Sequence, residues 1–167
     1  MPALTTFNRG SLRVKPLGQH TVNDAWGYEA ASQTFKPMDF VIDSSGSMAI
    51  GCATNASIAT SSTVLGLADS AASGTTAARA PYIPLDENVL VRLPVYHGTP
   101  ASATTAVTQI GSTFNLFRST AGAWFCDISS TTAPYFTVAD IDKEAYPVGE
   151  TYGYVWGFIK SAARRFA

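Results

Sequence analysis

Nine consecutive residues, Phe40-Val41-Ile42-Asp43-Ser44-Ser45-Gly46-Ser47-Met48, set a carboxylate and two hydroxyls at alternate positions behind a short apolar run. Asp43, Ser45 and Ser47 are hard oxygen donors of the kind Mg²⁺ takes. Other groups able to do chemistry are few. His20 and His97 are the only histidines. No Gly-x-Ser-x-Gly elbow accompanies them, so a Ser-His-Asp triad lacks its cue; His20 lies at the end of the arm, and His97 reads as a turn histidine. Asp86/Glu87 and Asp140/Asp142 are acidic pairs, but spacing along a strand says nothing about the separation across a cleft that glycoside hydrolysis requires. They read as solvated strand ends. Cys52 and Cys126 form no Cys-x-x-Cys pair and no Cys/His cluster, which argues against zinc. Two buried free thiols are the default, with a bridge left open. No phosphate-binding glycine loop or dinucleotide fingerprint is present. The sequence offers no catalytic constellation and no cofactor site, and the chain reads as a non-enzyme.

The Asp-x-Ser-x-Ser spacing resembles von Willebrand type A domains, whose metal-ion-dependent adhesion site holds Mg²⁺. That resemblance implies Asp43, Ser45 and Ser47 as ligands. Such a domain follows its motif with an amphipathic helix and a parallel sheet covered on both faces. Here residues 49–68 are rich in Ala, Ser, Thr and Gly, carry no charge and show no helical period. The competing reading is a hairpin turn, in which Asp and Ser bond nearby backbone and Gly46 supplies positive φ. We expect the turn, and no metal; the adhesion module is the alternative function.

The elements that would carry these residues read as strands. Residues 25–35 are mixed and aromatic. Residues 39–42 and 47–52 flank the Ser-Ser-Gly turn as a hairpin. Residues 63–68 are a short apolar run. Residues 88–97 alternate, with Val89, Val91, Leu93 and Val95 on one face, and Pro94 argues for an edge or a bulge there. Residues 113–118 and 123–128 make a second hairpin, 135–141 follow, and 152–159 alternate Tyr152, Tyr154, Trp156 and Phe158 against small and β-branched residues. Residues 99–109 could hold a turn or two of helix. Residues 53–62 and 70–76 read as loops. The expected fold is all-β, a small β-barrel or β-sandwich body over residues 23–160. An extended N-terminal arm covers residues 1–22, punctuated by Pro2, Gly10, Pro16 and Gly18, and a short basic C-terminal tail covers 161–167.

Charged residues make up only 14% of the 167-residue chain, against about a quarter in ordinary domains. A surface so poor in charge suits a protein that lives against a partner. From Asp24 to Glu150 the chain holds twelve acidic and five basic residues, a net −7, while the two ends add +6 through Arg9, Arg13, Lys15, Lys160, Arg164 and Arg165. Basic ends on an acidic body point to tails that reach a neighbouring chain. The acidic body argues against nucleic acid. No apolar run is long enough to cross a bilayer and no leader-like h-region opens the chain, so a soluble protein is expected.

The order of turns and strand ends carries a resemblance. Val64-Leu65-Gly66-Leu67-Ala68 precedes Ala71-Ala72-Ser73-Gly74-Thr75-Thr76-Ala77. Pro94-Val95-Tyr96-His97-Gly98-Thr99-Pro100 leads to Gly111-Ser112-Thr113-Phe114-Asn115-Leu116 and Gly122-Ala123-Trp124-Phe125-Cys126-Asp127. Then come Val138-Ala139-Asp140-Ile141-Asp142 and Tyr146-Pro147-Val148-Gly149-Glu150-Thr151-Tyr152-Gly153. Over residues 25–159 this resembles the small head proteins of tailed bacteriophages that decorate or cement the capsid. The resemblance implies a virion structural protein on the outer capsid surface, bound to the major capsid protein and working as a homo-oligomer, dimer or trimer. The residues expected to grip are Leu4, Phe7, Arg9, Leu12 and Arg13 in the arm and Arg164 and Arg165 in the tail.

Overall fold

The computed structural model describes residues 7–9, 12–17, 24–132, 134–144 and 146–160. Leu4 of the expected arm and Arg164 and Arg165 of the expected tail lie outside the described residues.

The all-β expectation holds. The described strands are β1 (Phe7–Arg9), β2 (Leu12–Pro16), β3 (Ala25–Tyr28), β4 (Phe40–Ser44), β5 (Ser47–Ile50), β6 (Ala56–Ser57), β7 (Thr63–Ala68), β8 (Arg79–Pro84), β9 (Val89–Tyr96), β10 (Thr113–Arg118), β11 (Trp124–Asp127), β12 (Phe136–Ile141) and β13 (Tyr154–Ile159). Among the described residues only two short 3₁₀ turns, Pro100–Ser102 and Val107–Gln109, interrupt them. Threonine and proline keep that stretch from continuing as helix.

Five strands close into a barrel in the order β9-β11-β10-β12-β13 and back to β9. Closure removes the open edges that a flat sheet would expose. All pairings around it are antiparallel except β11 with β9. β9 is the pivot. Along one side it pairs β13; along the other it pairs β2 through Val89–Arg92 and then β11 through Val95 and Tyr96. Pro94 therefore lies in an interior strand with no register shift beside it, and not at the expected edge or bulge. The reason is geometric. Val95 donates its N–H to the Gly153 carbonyl on the β13 side, so the nitrogen of Pro94 faces the other way. There β2 has already ended and β11 has not begun, and no ladder bond is lost.

Alternation on β13 sets its faces. Val155, Gly157 and Ile159 are buried inside, and the rings of Tyr154, Trp156 and Phe158 lie half-buried outside. The ring stripe seen in the sequence is thus an outer face.

The second sheet runs β3-β8-β7-β4-β5, all antiparallel. It curls until its edges meet, where Ala30 donates to the Met48 carbonyl at 2.9 Å. Most of both its faces is buried, β3 excepted. Phe40, Val64, Leu67 and Ile83 share one core with barrel residues such as Val91, Leu93, Leu116 and Phe136. Phe35, Val41, Met48, Leu65 and Tyr82 fill the inside of the curl. β8 went unseen in the sequence because Pro81 and Pro84 break its pattern, yet it is an interior strand of this sheet.

Gly66 fixes how closely β7 and β8 approach. Leu65 is an extra residue opposite the Val41–Ile42 step, a bulge. A Cβ on Gly66 would stand 2.0 Å from the Ile83 carbonyl oxygen. Gly66→Ala should therefore cost about 2–4 kcal/mol in urea unfolding. Gly98→Ala, where a Cβ meets nothing within 4 Å, should stay within about 0.5 kcal/mol of the parent.

Candidate interaction surface

The oxygen-rich motif is a turn. Ser44 pairs with Ser47 across a two-residue loop in which Ser45 (φ 53°) and Gly46 (φ 85°) both have positive φ, the hairpin geometry that matches strand twist. Asp43 Oδ1 accepts the Gly46 N–H at 2.9 Å. The residues after the motif form β5 and not a helix. Among the described residues no three His, Cys, Asp or Glu side chains come together as a metal group.

The other candidates fall into structural roles. His97 Nδ1 accepts the Thr99 N–H at 2.9 Å as its strand turns out. Asp86 accepts the Asn88 N–H at 2.8 Å at the entry to β9. Asp142 corrects the expectation of a solvated strand end: it is buried, and its carboxylate meets Arg92 Nε. The Arg92 guanidinium in turn lies 3.7 Å from the Tyr154 ring centre, and Tyr146 stacks on Tyr154. This is a braced ion pair under aromatic cover, the setting in which burying charge is tolerable. Of this group only Asp142 lines a cleft of ≈ 260 Å³, together with Lys15, Leu90, Lys143, Glu144 and Trp156.

The joint between the two sheets is also polar. Asp39, just ahead of β4, accepts from Trp124 Nε1 at 2.9 Å and from the Lys36 N–H at 2.8 Å, and it faces Arg118 Nη2 at 3.4 Å. Glu29 is pinned by the N–H groups of Ser73 and Gly74 and the Ser73 hydroxyl. Each buried carboxylate is held by donors and is spent on holding the fold.

The expected arm has a defined place. β2 lies on β9, with Val14 wholly buried, and β1 lies on β2 as the outermost described strand of that sheet. Phe7 and Arg9 are on β1, and Leu12 and Arg13 on β2. The surface that receives Val14 is the chain's own barrel.

Two groups of exposed apolar side chains stand out; of their residues only Tyr152 was singled out in the sequence, as the start of a strand at 152–159 that in fact begins at Tyr154. On β3, Trp26 and Tyr28 point outward, with Arg79 of β8 5.1 Å from the Trp26 ring centre. On the barrel, Val107, Ile110, Tyr146, Val148 and Tyr152 project from two neighbouring loops. A signal for the second group was present: from Leu93 to Phe117 the chain has no Asp, Glu, Lys or Arg.

No helix among the described residues is long and apolar enough to cross a membrane. Compared with known proteins, the chain matches no protein-family model, no curated protein and no solved structure.

Both cysteines are free thiols. Burial raises Cys52 from 9.0 to about 11, despite the opposing pull of Arg118, and raises Cys126 further inside the barrel. A raised value keeps the thiol protonated, so the reactive thiolate is scarce until the pH nears that value. Labelling of the folded chain by a thiol-specific disulfide reagent at pH 8 should be at least ~10-fold slower than in denaturant, and for Cys52 should accelerate as pH rises toward 11.

Proposed function

We propose that this chain is a virion structural protein that binds the outer surface of a capsid and cements neighbouring major capsid proteins, working as a dimer or trimer. The observation that carries the reading is the place of its cationic N-terminal strands. A closed barrel and a curled sheet leave few edges, and among the described residues β1 is the outer edge of the larger sheet. An outer strand edge offers unused N–H and C=O groups to an added strand from another chain. Arg9, Arg13 and Lys15 lie on these two strands, and no acidic residue precedes Asp24. That combination suits an extended, acid-bearing segment of a shell subunit.

The division of labour is mechanical. Strand addition supplies many weak bonds in parallel, and a seam between shell subunits can part only by breaking them together. Several copies bound around one shell, or one oligomer bound at several points, raise the effective strength without a new contact. Nothing in this role needs a titratable centre, which accords with buried carboxylates committed to structural bonds.

The test must spare Val14, since removing β2 would strip a buried side chain from the core. Deletion of residues 1–11 leaves β2 in place. The truncated chain should melt close to the parent yet co-sediment with purified heads of the source phage, prepared without the chain, at least ~10-fold more weakly. Arg9→Glu with Arg13→Glu should act in the same direction, and binding of the parent should weaken between low and physiological salt. Undiminished binding by the truncated, folded chain would remove β1 from the account.

A further inference from the structure

Two strand ladders fix which way the backbone of β1 faces. In an antiparallel ladder one residue turns both its N–H and its C=O to one neighbouring strand, and the next turns both to the other side. Leu17 donates its N–H to the Asn88 carbonyl at 2.7 Å. From there the β2–β9 register runs without a shift through Pro16↔Val89, Lys15↔Leu90, Val14↔Val91 and Arg13↔Arg92. Leu17, Lys15 and Arg13 therefore turn their backbone groups to β9, and Pro16, Val14 and Leu12 turn theirs to β1. β9 gives the same phase independently. Val95 donates to the Gly153 carbonyl across the β13 ladder, so Val91 and Leu93 face β13, while Leu90 and Arg92 face β2. Pro16 agrees, because its nitrogen has no hydrogen to give and lies on the side away from β9.

The phase carries one strand further. Val14 pairs with Phe7 and Leu12 with Arg9, so the backbone groups of Phe7 and Arg9 are turned to β2. Asn8, opposite Arg13, turns its N–H and C=O the other way. β1 is the outermost described strand on that side. Within β1, Asn8 alone presents a donor and an acceptor to the open edge.

We propose that the main-chain N–H and C=O of Asn8 are the docking pair for a shell subunit, which is recognised there as an extended backbone and not through the asparagine side chain. The inference rests on the reading of β1 as the edge to which a strand is added. A strand laid beside β1 in either direction must use these two groups, since within β1 only they face it. Two hydrogen bonds make a weak contact, which fits a cement that holds through many copies. Recognition by main chain tolerates varied side chains on the partner strand and excludes proline where that strand must donate.

Two variants separate main chain from side chain. Asn8→Pro removes the outward donor and no bond to β2, because a strand accepts proline where its N–H faces away from the neighbour. Asn8→Ala removes the side chain and keeps both groups. In co-sedimentation with purified heads of the source phage, prepared without the chain, Asn8→Pro should bind at least ~10-fold more weakly than the parent, and Asn8→Ala like the parent. Amide hydrogen exchange reads the hairpin itself. The Val14 N–H, turned to Phe7, should be as protected in Asn8→Pro as in the parent, and in the free parent the Asn8 N–H should exchange at least ~10-fold faster than those of Phe7 and Arg9. Parental binding by Asn8→Pro, weakened binding by Asn8→Ala, or an Asn8 N–H as protected as its neighbours in the free chain would overturn the inference. If deletion of residues 1–11 weakens binding while Asn8→Pro does not, the inference falls and β1 keeps its role. Undiminished binding after that deletion would remove the reading beneath it.

Discussion

A buried carboxylate that must not be left alone organises this molecule. Asp39 sits where the curled sheet meets the barrel, held by the Trp124 indole, a backbone N–H and the Arg118 guanidinium. Removing one partner of a buried ion pair typically costs about 3–5 kcal/mol, because the other is stranded away from water. Trp124 and Arg118 therefore bind the ends of β11 and β10 to the start of β4. Phe40, the next residue, packs edge-on against the Trp124 ring at 5.1 Å. Gly51 leaves room for this: a Cβ there would be 3.0 Å from both the Phe40 carbonyl and the Trp124 ring. With this joint fixed, the apolar residues of both sheets fuse into one core.

That fusion bounds what the protein can do. Its scaffold is closed on itself, and its buried charges are committed. The surface offers a cationic strand at the edge of a sheet, exposed apolar side chains on two loops of the barrel and a pair of rings on β3. On the proposed reading these are the surfaces that would hold other chains. Tyr135 follows the same logic, since its hydroxyl donates to the Ala59 carbonyl and burial raises its pKa, so it stays a neutral brace.

Much of the fold was legible because its strands obey simple periods. Residues 63–68 and 113–118 were read with their observed bounds, and the turn at Ser45-Gly46 follows from the need for positive φ. The failures have local causes. Pro81 and Pro84 hid β8, although β8 keeps its place between β3 and β7. Pro94 signalled an edge because a sequence cannot show that two successive neighbours leave a gap at that nitrogen. β2 read as an arm because its partner, β9, lies some seventy residues away. Of the grip residues, Phe7, Arg9, Leu12 and Arg13 fall on backbone strands, and the rest lie outside the described residues. Val107, Ile110, Tyr146 and Val148 went unread because they sit in loops, where no period marks a face, and Tyr152 was read into a strand that begins two residues later, at Tyr154.

The central claim is that this body exists to be pressed against other protein chains on a viral shell. Electron cryo-microscopy of heads assembled with the full chain tests it most directly. The account predicts ordered density for the body on the outer surface, with β1 extended by a strand of a shell subunit. Bare heads, or bound copies whose β1 edge faces solvent, would contradict it.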